Sequence, residues 1–388
     1  MIAVIADDLT GAAELGGVGL RHGLQVEIAL SVPAATAAGL FVIATDTRSK
    51  PVQQAAEEMA LLSARLLHLE PALLFKKIDS VLRGHVLAEV KAQLEVLGLR
   101  KALIIPANPH LGRTIVEGTY YFHGKPIHTT SFSHDPEFAI TDAAIPAMLR
   151  SGSTPVHILK HTDPLPEQGI VVGEVKGEED LKAWAALAAP ATLLVGASGF
   201  FSALLNKHLG QATQVTAEAP PLCRPALYVS GSTFHTSRAA IKEEYEKGGP
   251  VSYVPAAIIE GNAPPEPLFE KWADSILAHV QAHAKGIVAI DPATTAGKSI
   301  TAAQLRMITA RITERVLQRM PVCELFVEGG ATAWAVLEQA SLGPLQPVQE
   351  LAPGVVRMRA GNKSGLYLTI KPGSYDWPAA VLQFIYHT

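Results

Sequence analysis

The apolar run Ile2, Ala3, Val4, Ile5, Ala6 stops at two adjacent carboxylates, Asp7 and Asp8, which are followed by Leu9, Thr10 and Gly11. Such a run reads as a buried parallel strand, and a charged pair at its carboxyl end stands where open α/β sheets place their ligands. Ala12, Ala13, Glu14 and Leu15 then begin a helical pattern, so the motif is strand, acidic turn, helix. Asp8 or Thr10 alone would suffice to cap that helix. A second carboxylate is surplus to capping and suits a polar ligand or an acceptor of a substrate proton.

Further polar clusters follow strand-like runs in the first half. Lys76, Lys77, Asp79, Ser80 and Arg83 crowd into one short stretch. A guanidinium binds a carboxylate through a planar fork and lysine adds a compact charge, so this cluster suits an acidic small molecule; a solvated salt-bridge face is the plainer alternative. Pro106, Ala107, Asn108 and Pro109 lead to Gly112, Arg113 and Thr114, a rigid loop ending in donors. His134, Asp135 and Pro136 read most simply as an ordered turn.

The second half is rich in glycine turns rather than charge. Ser230, Gly231, Ser232 and Thr233 follow one strand-like run and precede a helical pattern over 237–245. Glu328, Gly329, Gly330, Ala331 and Thr332 repeat the arrangement before a helix over 334–339. Backbone N–H groups and hydroxyls at such turns can cradle phosphate at a helix N-terminus, and two of them favour a nucleotide over plain tight turns. The tail offers Lys371, Pro372, Gly373, Ser374 and Tyr375 after another strand. Neither a Walker A spacing nor a GxGxxG follows any of these strands.

The elements that must carry these residues alternate. Strand-like runs at 26–29, 40–44, 73–75, 102–105, 170–172 and 193–195 are separated by helical patterns such as 53–67 and 86–97. A second series runs through 226–229, 251–254, 287–290, 325–327 and 367–370. Alternation of this kind predicts an α/β fold with two domains built on largely parallel sheets covered by helices. The proline-rich stretch containing Pro220, Pro221 and Pro225 can continue neither a helix nor a central strand. The expected division is therefore 1–216, a linker over 217–225, and 226–388.

Composition narrows the function classes. The 388 residues are 48% hydrophobic and 18% charged with a net charge of -4, a globular balance without the basic footprint of a nucleic-acid or anionic-membrane binder. The start lacks a basic region and meets Asp7 after six residues, so neither a signal peptide nor a membrane span begins there, and a cytoplasmic protein is expected. Cys223 and Cys323 have no metal-ligand spacing and read as packing residues of a reducing compartment rather than a disulfide. The scattered histidines form no metal motif.

Taken together, the clusters resemble the four-carbon acid sugar kinase family over nearly the whole chain and in the right order. Asp7 to Ala12, Lys77 to Gly84, Pro106 with Ala107, and Gly112 to Thr114 resemble its acid-sugar-binding domain. Ser230 to Ser232, Glu328 to Thr332 and Ala352 to Val355 resemble its nucleotide-binding domain. Many relatives have Ser-Gly-Ser-Cys-Ser where this chain has Ser230, Gly231, Ser232, Thr233 and Phe234, and Gly-Gly-Glu-Thr where it has Gly329, Gly330, Ala331 and Thr332. The last family motif is best matched by Lys371, Gly373 and Ser374; Lys363, Ser364 and Gly365 have closer letters but precede the strand.

The resemblance implies ATP-dependent phosphorylation of the terminal hydroxyl of threonate, erythronate or 3-oxo-tetronate in a cleft between two α/β domains. Asp8 or Asp7 would accept the hydroxyl proton. Thr10, Lys76 or Lys77, Asp79, Ser80, Arg83 and Arg113 would bind the sugar acid. Ser230, Gly231, Ser232, Gly329, Gly330, Thr332, Lys371, Gly373 and Ser374 would hold the nucleotide, with Mg2+ carried mainly by ATP oxygens and no protein metal site. A homo-oligomer is compatible with the sequence, which does not fix the oligomeric state. Two alternatives stay open: an Mg-dependent sugar-acid dehydratase or aldolase using the Asp7–Asp8 turn, and a noncatalytic sugar-acid-binding protein.

Overall fold

In a computed structural model of the chain, all residues are described except 135–137, 213–218, 232–234, 261–265, 296, 374 and 387–388. Backbone contacts divide it into two units, Met1–Val215 and Thr216–Thr388.

The first unit holds strands β1 (Ile2–Ala6), β2 (Val26–Ala29), β3 (Leu40–Ala44), β4 (Leu73–Lys77), β5 (Lys101–Ile105), β6 (Arg113–Val116), β7 (Thr119–Phe122), β8 (Lys125–Pro126), β9 (Val156–Leu159), β10 (Gly169–Gly173) and β11 (Thr192–Gly196). Its main sheet runs β2-β3-β1-β4-β11-β5-β10-β9, with every pair parallel. All residues of β3 are buried, as expected where helices cover both faces. The chain leaves β1 toward β3 on one side and later returns to β4 on the other. The β1/β4 boundary is therefore the switch point at which ligands collect beyond the strand ends.

Helices Leu9–Arg21, Val52–Leu67 and Val86–Leu97 cover this region. Ala55, Met59, Leu62 and Leu66 recur at helical spacing and are buried, which is why that segment folds as an amphipathic helix. Helix Val86–Leu97 ends at Gly98, whose left-handed φ of 65° suits a glycine stop. A separate antiparallel sheet, β6-β7-β8, grows out of the loop after β5.

The second unit holds β12 (Ala226–Ser230), β13 (Val251–Tyr253), β14 (Lys285–Ala289), β15 (Glu324–Glu328), β16 (Leu345–Ala352), β17 (Val355–Ala360) and β18 (Tyr367–Lys371). Their order is β13-β14-β12-β15-β18-β17-β16, parallel from β13 through β18 and antiparallel at β17 and β16. Here the switch point lies between β12 and β15. Strand β18 sits between β15 and β17, so it is not an edge strand.

The structure corrects the reading of the cysteines. Cys223 and Cys323 form a disulfide, with Cα atoms 5.7 Å apart despite a sequence separation of 100 residues. Entry into β15 brings them together, because the Cys323 amide donates to the Pro225 carbonyl at 2.8 Å. The proline-rich stretch is anchored further by Arg357, whose guanidinium donates to the carbonyls of Pro220 and Pro221 and forms a fully buried ion pair with Glu324.

Candidate active site

The acidic turn lies at the switch point of the first unit. Asp8 is the N-cap of helix Leu9–Arg21; its Oδ1 accepts from the Gly11 amide at 2.7 Å and its Oδ2 from the Thr10 hydroxyl at 2.6 Å. Gly11 fits because a Cβ there would stand 2.7 Å from Asp8 Oδ1 and 3.0 Å from Lys77 Nζ. Capping and the acidic pair are thus one feature, with Asp8 serving the helix and still facing the site.

A residue that the sequence reading did not single out joins the two carboxylates. Arg48, in the turn after β3, donates Nε and Nη2 to Asp7 Oδ2 at 3.0 and 2.8 Å, and Nη1 to Asp8 Oδ2 at 2.9 Å. Its signal was the polar stretch Thr45, Asp46, Thr47, Arg48 directly after a strand-like run, the same position that marked Asp7 and Asp8. Arg48 Nη1 also lies 3.9 Å from Asp79 Oδ1. Asp79 in turn is gripped by Arg83.

The two neighbouring carboxyls are driven in opposite directions. Burial raises the pKa of Asp7 and, with the Asp8 and Glu89 charges, outweighs the lowering by Arg48 and Lys76. Burial also opposes ionisation of Asp8, but Arg48, Lys77, the Thr10 hydroxyl and the Gly11 amide together hold it below the usual range. Burial likewise acts on Asp79, where Arg83 and Arg48 prevail and keep the carboxylate ionised. Divergent pKa values in adjacent groups characterise sites that divide acid and base roles.

The lysines separate. Lys77 Nζ reaches Glu14 Oε2 at 3.4 Å beside the acidic turn. Lys76, read from sequence as a ligand of the acidic substrate, is fully buried and paired with Glu89 at 2.6 Å. Strand alternation puts adjacent side chains on opposite faces, so only one of two consecutive lysines can face the ligand side. Ser80 and Arg113 do come together, with Arg113 Nη1 donating to the Ser80 hydroxyl at 2.6 Å, while the Tyr120 hydroxyl donates to the Ser80 carbonyl. The Arg83 and Arg113 guanidinium carbons stand 5.9 and 5.8 Å from the Phe132 ring centre. Tyr120 and Phe132 escaped the sequence reading because they belong to the segment around the small sheet, whose register with Ser80 is tertiary.

In the second unit, the glycine turns meet at the β12/β15 switch point. The Gly231 amide donates to the Glu328 carbonyl at 3.2 Å, and Gly329, with φ of 102°, precedes helix Gly330–Gln339. The positive φ falls on Gly329, while Gly330 is the first helical residue. A Cβ on Gly231 would come within 1.9 Å of the Thr332 hydroxyl, so the two turns interlock. Beside them, a cavity of about 1040 Å³ opens at the ends of β12, β13 and β14, bordered by Ser230, Arg238, Tyr253, Pro255 and Asp291.

Lys371 is held inside the protein. Its Nζ pairs with buried Glu328 at 3.0 Å and donates to the carbonyls of Pro372 and Gly373. Glu328 also accepts from the hydroxyls of Tyr228 and Ser237, so it ties β12, β15 and β18 together beneath the turns. Lys363 donates to the Leu317 carbonyl at 2.7 Å. Ser232, Thr233, Phe234 and Ser374 lie outside the described residues, as do Asp135 and Pro136.

Residues 2–237 match the model of a sugar-binding N-terminal domain, and 227–375 match that of a nucleotide-binding C-terminal domain. The chain belongs to the four-carbon acid sugar kinase family. Within this family it is similar to a D-threonate kinase of Salmonella typhimurium, at 28% identity over 363 residues covering 88% of this chain and 82% of that one. It is also similar to a 3-oxo-tetronate kinase of Pseudomonas fluorescens, at 25% identity over 97% of this chain and 94% of that one. A crystal structure from Salmonella typhimurium LT2 shares the fold with a TM-score of 0.79 at 19% identity, covering 99% of this chain and 98% of that one. Among the described residues no helix is long and apolar enough to cross a membrane.

Proposed function

We propose that this member of the four-carbon acid sugar kinase family transfers the γ-phosphoryl group of ATP to the terminal hydroxyl of a four-carbon sugar acid of the threonate, erythronate or 3-oxo-tetronate type. The observation that carries this reading is the Asp8 carboxylate, fixed by Thr10, Gly11 and Arg48 and held ionised at the switch point of a sugar-binding domain. Phosphoryl transfer asks little covalent work of a protein; it needs positioning, charge neutralisation and an acceptor for the hydroxyl proton. Asp8 accepts that proton and Asp7 orients Arg48. Arg113, Lys77 and Arg83 form the basic wall that receives the substrate carboxylate, with Asp79 and Ser80 fixing the arginines.

The nucleotide is assigned to the second unit. Its phosphates are assigned to the N-terminus of helix Gly330–Gln339, with the Gly231 and Gly329 amides shaping the turns through the Glu328 and Lys371 carbonyls and Thr332 closing them. The adjoining cavity has the size of a small-molecule pocket and would take the nucleoside. Lys371 acts from beneath through Glu328. Among the described residues no group of three or more His, Cys, Asp or Glu side chains could hold a metal ion. Mg2+ would be carried by ATP oxygens, where it would neutralise phosphate charge. A cytoplasmic location accords with an ATP-dependent reaction.

The test is ADP release, coupled to a spectroscopic readout, from purified protein with ATP, Mg2+ and a panel of D-threonate, D-erythronate, their enantiomers and 3-oxo-tetronate. Phosphorylation of at least one acid at its terminal hydroxyl is expected. Loss of water or carbon–carbon cleavage without ATP would replace the reading with a dehydratase or aldolase. Tight acid binding without turnover would replace it with a binding protein.

A further inference from the structure

Behind the acidic turn lies a buried polar layer that the transfer chemistry does not use. Lys76 and Glu89 form their 2.6 Å ion pair with side chains 0% and 2% exposed, so neither reaches a substrate. Lys76 stands opposite Ile5 in the β1–β4 register, and Ile5 is two residues before Asp7 along the same strand direction. Residues two apart share a face, which places this pair on the Asp7 side of the sheet. Glu89 comes from helix Val86–Leu97, and one turn further Gln93 donates to the Ser63 hydroxyl at 3.0 Å.

This layer has an unusual polar balance. Buried Asp7 Oδ1, Glu89 Oε1 and Gln93 Oε1 accept no hydrogen bond from the described residues, and Lys76 Nζ makes only its ion-pair contact. Buried acceptors without donors are costly, and a proton on a carboxyl turns an acceptor into a donor. Asp7 Oδ2, by contrast, is fully engaged by Arg48. One oxygen of Asp7 therefore belongs to the site through Arg48, and the other is buried without a hydrogen bond from the described residues.

We propose that Asp7 is a positioning residue that holds Arg48, and through it Asp8, toward the substrate, and that the buried Lys76–Glu89 pair on the same side of the sheet biases the charge of Asp7. The role assigned to Asp8 rests on the kinase reading; the electrostatic coupling of the pair to Asp7 does not. The charged groups facing Asp7 are Arg48 from the turn after β3, Asp8 beside it, Lys76 and Lys77 from β4, and Glu89 from the helix behind, with Asp79 one step further across Arg48. Two of these can be altered without touching the ligand side.

The coupling has a signature that a purely structural pair lacks. Glu89→Gln leaves Lys76 uncompensated, which favours the Asp7 carboxylate. Lys76→Met leaves Glu89 uncompensated and disfavours it. Carbon-13 NMR titration of the Asp7 carboxyl, assigned by its loss in Asp7→Asn, should show the midpoint falling by about one pH unit in Glu89→Gln and rising by about as much in Lys76→Met, the scale of one nearby charge. The double variant should return toward wild type. The acid limb of the kcat/KM profile should move with the midpoints. Should Lys76→Met not fold, Glu89→Gln with an unchanged or raised midpoint overturns the coupling; so do single variants that shift the midpoint in the same direction. An Asp7 midpoint that shifts as expected while the activity limb stays fixed overturns the link from Asp7 to Asp8. Absence of any sugar-acid phosphorylation by the wild type sinks the kinase reading and leaves the NMR result to judge the coupling.

Discussion

Arg83 lays the edge of its guanidinium against Asp79, four residues earlier, with Nε 2.8 Å from one carboxylate oxygen and Nη2 2.9 Å from the other. The planar fork expected to grip the substrate thus grips a neighbouring side chain and holds the turn after β4 in shape. That turn also carries Ser80, which receives Arg113. Arg83→Lys retains the charge but not the fork, so the KM for the sugar acid should rise by roughly tenfold, a change of about 1.4 kcal/mol, while the KM for ATP stays within twofold. Steady-state kinetics with each substrate varied in turn provide the check; a selective rise in the ATP KM would move Arg83 to the phosphate side.

Asp79 makes the same contact visible in stability. Its pKa is depressed in the folded state, so its contribution is fully present above the unfolded value near 4 and is lost as pH falls toward the folded value. Asp79→Asn should therefore lower stability by about 1.5–3 kcal/mol at pH 7, the range for hydrogen bonds to charged groups. The gap between wild type and variant should be flat from pH 5 to 8 and narrow below pH 4. Urea unfolding at several pH values tests this; a gap that widens on acidification contradicts it.

Asp8 combines a cap with an ionised acceptor, and two substitutions separate these roles. Asp8→Asn keeps an oxygen for the Gly11 amide but loses the charge paired with Arg48, so it should cost about 1.5–3 kcal/mol, the range for hydrogen bonds to charged groups, while transfer is abolished. Asp8→Ala should cost about 1 kcal/mol more through loss of the cap. Near-normal turnover in Asp8→Asn would remove Asp8 from the reaction, and Asp7→Asn then becomes the decisive variant.

Gly231 and Thr332 interlock the two glycine turns of the second unit. Since a Cβ on Gly231 would run into the Thr332 hydroxyl, Gly231→Ala should cost about 1–3 kcal/mol in stability and weaken ADP binding. Removing the obstacle in Gly231→Ala/Thr332→Ala should restore part of both. Calorimetric titration of ADP into each folded variant reports the coupling. Gly365 has φ of 80° with open space around its Cβ, so Gly365→Ala should strain its own turn and leave ADP affinity unchanged.

The disulfide closes a long loop, and Cys223→Ser or Cys323→Ser should lower stability by about 2–4 kcal/mol relative to the oxidised wild type. Thiol titration of the denatured, unreduced protein should find no free thiol. Two free thiols in freshly purified protein would show that the pair is reduced as isolated.

Strand ends were the legible part of this protein. Periodicity located the parallel strands other than β9, because buried strands read as short apolar runs, and it placed Asp7, Asp8, Asp79 and the Gly329 turn at their carboxyl ends, where ligands bind in α/β sheets; partly exposed β9 left no such run. Helix Val86–Leu97 was legible to the residue because its apolar spacing ends at a glycine. The antiparallel pieces were not: β6-β7-β8 are short, and in β16-β17 Gln346, Gln349, Glu350, Arg357 and Arg359 break any apolar run even where the strand is buried.

What the tertiary structure decided is which like-looking residues do which task. Composition cannot distinguish Lys76 from Lys77; the pleat sends one to Glu89 in the interior and the other to the acidic turn. Arg48 became part of the site because β3 lies beside β1, a pairing that joins residues some forty positions apart and leaves no local mark. Cys223 met Cys323 for the same reason, across 100 residues. Local sequence sets strand, turn and charge, because these depend on neighbours along the chain; partner choice among charges depends on which strands lie side by side, and only the folded sheet fixes that.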